Sequence, residues 1–160
     1  NPDKQVAQLT VALEALEAIR REQQGASPHG VILAGDFNSQ PGAGPFNFCQ
    51  DGELSVQDPD ALPKELHLGR GLCYSRGPDG KFRHHLDLAS TYPVDNTLVT
   101  TRTGGDDAFE GNLDYIWHTR QGLRPLARLP LPRPDQVAQG LPNRDFPSDH
   151  VPLGAYFALE

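Results

Sequence analysis

Near the start of the chain, apolar residues recur at intervals of three and four. Val6, Leu9, Leu13, Leu16 and Ile19 fall on one stripe. That spacing predicts a helix over residues 3–24 with the stripe buried. Asp3 suits the N-cap and Gly25 the C-terminal stop. Glu14, Glu17, Arg21 and Glu22 lie on the other face, which reads as solvated surface. Val31-Ile32-Leu33-Ala34 is a continuous apolar run, the pattern of a strand covered on both faces. It ends at Gly35-Asp36-Phe37-Asn38-Ser39, after which Pro41 and Gly42 impose a loop and 45–50 a short helix. Residues 51–85 carry turn formers with little period and read as loop, with a turn at Pro78-Asp79-Gly80. Order resumes over 86–92, 97–102 is β-rich, and 104–107 turns. Over 112–118, Leu113, Tyr115 and Trp117 alternate with Asp114, Ile116 and His118, a strand pattern. Another strand is expected over 123–129 and a closing one over 151–157, with a loop at 130–143 that holds four prolines. The sum is one α/β domain, a helix followed by strands, without internal repeats.

Composition changes this picture in three ways. The chain has 160 residues, enough for a real core, and its 37% hydrophobic and 22% charged content is that of a globular chain. Its formal net charge is −7, which argues against a wide electrostatic footprint on nucleic acid but leaves room for an acidic metal site that meets one phosphate at a time. Cys49 and Cys73 have no CxxC spacing and read as idle thiols. No apolar run is long enough for a bilayer-spanning helix. The chain has no Met and opens on Asn-Pro-Asp, from which a piece of a longer polypeptide is expected.

Three short segments could carry chemistry. In Gly35–Ser39 an apolar strand delivers Asp36 and Asn38 to the point where it leaves the sheet, a usual place for ligand sites in α/β proteins. Asp and Asn are equally ordinary turn residues. Asp114 stands inside a strand between large apolar neighbours; a buried carboxylate there needs an imidazole or a metal, whereas a solvent-facing one needs nothing. Asp149 is a hard oxygen ligand suited to Mg²⁺, and His150 beside it can donate a proton or stabilise charge. A cap ending a proline-rich loop accounts for them as well. Taken together the segments offer what phosphodiester hydrolysis requires: one Asp to fix an imidazole, one to anchor a metal, one to align water. His84-His85 are neighbours whose side chains point opposite ways on an extended segment, so they read as a loop pair. His29, His67, Arg70, Arg76 and Arg83 read as loop residues, and Trp117 as core.

Gly35-Asp36-Phe37-Asn38-Ser39, Leu113-Asp114-Tyr115-Ile116-Trp117 and Pro147-Ser148-Asp149-His150, in that order, resemble the C-terminal signature motifs of the endonuclease/exonuclease/phosphatase superfamily. Asn1-Pro2-Asp3, Phe46-Asn47-Phe48, residues 86–92 and Leu141-Pro142-Asn143 are similar to its deadenylase-like branch: the Angel proteins, carbon-catabolite-repressor-type deadenylases, nocturnin and 2′,5′-phosphodiesterases. The resemblance implies the C-terminal half of a four-layer α/β sandwich with two packed mixed β-sheets. It implies that Asp36 orients the attacking water, Asn38 contacts the scissile phosphate, Asp114 hydrogen-bonds His150, and His150 stabilises charge on phosphorus. Asp149 and Asp36 would hold Mg²⁺, with Mn²⁺ as an alternative ion. Phe109, five residues before Asp114, stands where deadenylases place an aromatic against adenine; a core or loop aromatic is the plainer account.

The activity so implied is Mg²⁺-dependent 3′–5′ exoribonucleolysis of poly(A) tails. The alternatives are a 2′,5′-oligoadenylate phosphodiesterase or small nucleotide phosphatase, and a non-catalytic interaction module. The partner would be an RNA 3′ end or an adenylate-containing nucleotide, not a membrane, and the address intracellular, the cytoplasm before nucleus or organelle. The family's principal metal-binding Glu belongs to the first half of the domain, and Glu14 and Glu17, on a helix, do not replace it. Residues 1–160 are therefore expected to be the C-terminal portion of one domain, inactive and poorly stable by themselves.

Overall fold

A computed structural model describes residues 2–23, 30–55, 57–60, 67–68, 72–73, 79–94, 98–106 and 108–160. In chain order the elements are α1 (Pro2–Glu22), β1 (Ile32–Asp36), α2 (Gly44–Asp51), β2 (Glu53–Ser55), β3 (His67–Leu68), β4 (Leu72–Cys73) and β5 (Lys81–Arg83). They continue with β6 (Leu88–Ser90), β7 (Thr101–Arg102), β8 (Glu110–Gly111), β9 (Asp114–Thr119), β10 (Leu123–Arg128), α3 (Pro134–Val137) and β11 (Ala155–Leu159). Every pairing among the named strands is antiparallel.

The organising element is β9, which lies between β1 and β6. Its alternation sends Tyr115 and Trp117 to one face and Ile116 and His118 to the other, as period two demands. On the first face, Phe46 of α2 sits 5.4 Å from the Tyr115 ring and 5.3 Å from Trp117, centroid to centroid. Val6, Ala7 and Leu13 of α1, with Phe48, Phe82 and Leu88, close this core. On the second face Ile116 packs with Tyr92 and Leu98, against Leu153 and Phe157. The His118 ring lies 5.3 Å from Phe157, and its Nδ1 is 2.9 Å from Thr91 Oγ1. Tyr115 through Thr119 are all buried, so β9 has no solvent-exposed face.

Local sequence explains the ends of α2. Pro45 sits in the first turn, where its missing N–H costs nothing. Gly52 follows at φ 75°, the left-handed C-terminal cap, and its N–H bonds Phe48 O at 3.1 Å. The β10–β11 pair is held to the central sheet by Tyr92, whose hydroxyl lies 2.9 Å from Leu129 O and 2.8 Å from Gly154 O.

The structure departs from the sequence reading in several places. The helix begins at Pro2, so Asp3 lies inside it and does not cap it. Gly25, His29, Arg70, Arg76 and Pro78 lie outside the described residues. The buried stripe stops short of Ile19, which is exposed. Glu17, read as solvated, is only 8% exposed. The backbone N–H of His85 donates to one of its carboxylate oxygens, and Arg21 Nη2 lies 2.5 Å from the other. β1 is covered on one face only: Leu33 packs on the core, while Ile32 and Ala34 are exposed. The span 51–85 is not all loop. β2 pairs with β5, with Lys81 Nζ 2.5 Å from Glu53 Oε1, and β3 pairs with β4. The closing strand starts at Ala155, later than the apolar pattern suggested, and one helical turn interrupts the proline-rich loop. His84 is buried, its Nε2 2.8 Å from Phe48 O and its ring edge-on to Phe48, and burial pushes its pKa down. Cys49 is buried, with its thiol pushed up to about 12, which leaves it inert. Among the described residues no helix is long and apolar enough to cross a membrane.

Candidate active site

The antiparallel register of β1 and β9 sets Asp36 directly opposite Asp114. Two carboxylates thus meet at one end of the sheet because each strand ends its apolar run there. Just beyond, Asn38 adopts φ 47°, a left-handed conformation that Asn tolerates better than most residues. This curl brings the Asn38 N–H to 2.7 Å from Asp36 Oδ1 and its Nδ2 to 3.0 Å from Oδ2. The loop is fastened from below by the buried Tyr115 hydroxyl, 2.8 Å from Ser39 O and 2.9 Å from Asn112 O. The Phe37 N–H bonds Leu113 O at 2.8 Å.

The third segment arrives along β7. Thr101 pairs with Gly111 on one side and bridges to His150 on the other. Its hydroxyl donates to Asp149 O at 2.8 Å, and the His150 N–H donates to Ser148 Oγ at 3.1 Å. So anchored, His150 Nδ1 lies 2.8 Å from Asp114 Oδ2, both side chains largely shielded from water. The Asp114 hydrogen bond raises the His150 pKa more than partial burial lowers it, and the charges of Asp36 and Asp149 push the same way. The imidazole therefore holds its proton above the usual range, with Nε2 left for a ligand.

Asp36, Asn38, Asp114, Asp149 and His150 thus converge on one end of the sheet. Phe109 sits on the neighbouring turn, 38% exposed, with its N–H 2.9 Å from Thr103 Oγ1. The side chain of Asp149 is exposed, as is Asp36. Two such oxygen donors suit a magnesium ion, which takes one or two carboxylates and completes its shell with water and phosphate. Among the described residues no group of three acidic, His or Cys side chains is arranged for a metal. Sequence reasoning passed over Thr100, whose fully buried hydroxyl receives the N–H groups of Leu113 at 2.9 Å and Asp114 at 3.1 Å. It also passed over Thr101 and the role of Tyr115; in a β-rich stretch nothing distinguishes such residues from ordinary strand formers.

The model of the Endonuclease/Exonuclease/phosphatase family matches residues 10–150. The chain belongs to that family. Among relatives of this family, the CCR4-Not complex 3′-5′-exoribonuclease subunit Ccr4 of Aspergillus terreus is 36% identical over 132 residues, 81% of this chain and 18% of the relative. The Saccharomyces cerevisiae Ccr4 subunit is 29% identical over 163 residues, 97% of this chain and 18% of the relative. The crystal structure of ANGEL2, a 2′,3′-cyclic phosphatase, in complex with adenosine-2′,3′-vanadate superposes with a TM-score of 0.72 at 26% identity, over 99% of this chain and 54% of that one. The chain thus spans under a fifth of the length of these curated relatives and about half of that solved structure. The α/β architecture that the resemblance implies is the one this chain shares with the ANGEL2 structure.

Proposed function

We propose that this endonuclease/exonuclease/phosphatase chain serves phosphodiester hydrolysis at an adenylate-bearing RNA 3′ end, in the manner of a deadenylase. The observation that carries the reading is the His150–Asp114 pair, 2.8 Å apart, beside Asp36 and Asp149. A protonated imidazole fixed in orientation stabilises the charge that builds on phosphate oxygens as the nucleophile attacks. Asp114 keeps Nδ1 engaged, so Nε2 faces the phosphate. Asp36, steadied by Asn38, orients the attacking water, and Asn38 contacts the scissile phosphate. Mg²⁺, or Mn²⁺ in its place, held by Asp149 and Asp36, would neutralise phosphate charge when bound. Phe109 offers a surface for one base, and stacking on one base contributes about 1–3 kcal/mol. The 3′-5′-exoribonuclease activity of the Ccr4 relatives supports an RNA substrate, and an intracellular address, the cytoplasm first, goes with it.

A second reading, cleavage of a 2′,3′-cyclic phosphate, is favoured by the similarity to ANGEL2 over 99% of the chain. One assay separates the two. The full-length protein is incubated with 5′-labelled RNA ending in a run of A, a run of C or a 2′,3′-cyclic phosphate, with Mg²⁺ or EDTA, beside His150→Ala. A Mg²⁺-dependent ladder on the A tail, lost in the variant, supports exonucleolysis. Opening of the cyclic end without a ladder supports the second reading. Cleavage that survives His150→Ala overturns the assignment of His150, and no cleavage of any substrate overturns both.

A further inference from the structure

The loop that carries Asp36 and Asn38 and the turn that carries Phe109 meet over one residue, Gly111. A Cβ placed on Gly111 would stand 2.8 Å from Phe109 Cζ, 3.1 Å from Phe109 Cε1 and 3.5 Å from Gln40 Cδ. No left-handed backbone angle demands glycine here, so its reason is space. The bare Cα lets the ring edge of Phe109 rest on the strand and brings the Gln40 carboxamide beside it. Gln40 is held at the backbone on both sides. The Tyr115 hydroxyl fixes Ser39 O at 2.8 Å, and the Ala43 N–H closes a turn on Gln40 O at 3.1 Å. Its side chain is exposed and has no hydrogen-bond partner among the described residues.

We propose that Gln40 reads the edge of the base that stacks on Phe109 and selects adenine over guanine. This rests on the nuclease reading above and adds to it a specificity-determining residue. A ring that accepts a base on its face settles the base's plane but not its identity, because every base has a π-face. Identity needs a polar group beside the ring that can meet the base edge, and Gln40, whose Cδ approaches the same Gly111 position as the Phe109 ring, is the group that stands there. A carboxamide offers one donor and one acceptor, which match the N7 acceptor and N6–H donor of adenine. Guanine presents acceptors at both N7 and O6, so one of its two atoms would face the carboxamide oxygen.

The test uses the full-length protein and two RNAs that differ only in their last nucleotide, A or G. It compares kcat/KM for removal of that nucleotide by wild type, Gln40→Leu and Gln40→Arg. Wild type is expected to favour A. Gln40→Leu should lower the A:G ratio about tenfold, the discrimination one bidentate side-chain contact supplies. Gln40→Arg, whose fork matches O6 and N7 of guanine, should invert the ratio. A merely structural role for Gln40 would depress both RNAs alike and leave the ratio in place. An unchanged ratio in both variants, or no A preference in wild type, overturns the proposal while the nuclease reading stands. No removal of either nucleotide by wild type overturns both together.

Discussion

His150 owes its raised pKa to what holds its ring. Asp114 fixes Nδ1 at 2.8 Å and raises the pKa, with Asp36 and Asp149 adding to the effect. Because the folded value lies above the unfolded one, the pair's contribution is fully present below the ordinary histidine pKa and lost as pH rises through the raised value. The same holds for any rate that needs the imidazolium. Replacing Asp114 with Asn removes the charge and should move the basic limb of the kcat/KM profile to lower pH. A limb that stays in place in D114N would assign it to another group. His84 shows the opposite case. Its ring is buried against Phe48, so its pKa is pushed down and it stays neutral in the core.

Among the elements, β9 was the most legible, since alternation and β-formers agree along it. The pattern did not tell that both of its faces are buried, because period two says which residues share a face and not what covers each. The error on β1 is the converse: a fully apolar run reads as doubly covered, yet Ile32 and Ala34 are exposed. Glu17 was misread because its partner, the backbone N–H of His85, lies far along the chain, where periodicity carries no information. The three motifs were legible as candidates for one site, and the structure brings them together, but Thr100 and Thr101, which hold them in place, looked like any strand residues. Trp117 is fully buried between Phe46 and Tyr115. Trp117→Ala should cost about 3–5 kcal/mol by denaturant unfolding of the protein, from lost transfer free energy and the cavity left behind. A loss under about 1 kcal/mol would show that the aromatic cluster collapses to fill the gap.

At the scale of the molecule, the net charge of −7 bears on how substrate is held. A binder that neutralises many phosphates loses affinity steeply with salt, with a slope near −0.7 per contact on single strands. Contact at one or two phosphates in the site predicts that raising salt from about 50 to 200 mM weakens RNA binding about tenfold or less. A change of about a thousandfold in a titration would reveal an extended basic track. Apolar side chains stand open on β10–β11, where Tyr156 is 77% and Leu159 81% exposed. That strand pair is not an independent flap. The Tyr92 hydroxyl, next to the central sheet, contacts the first carbonyl beyond β10, that of Leu129, and both polar groups of Gly154 ahead of β11. Peeling the pair away breaks all these bonds at one atom, so its opening is tied to that of the central sheet. Amide protons on β11 and β9 should therefore exchange with solvent as one cooperative unit and not in sequence.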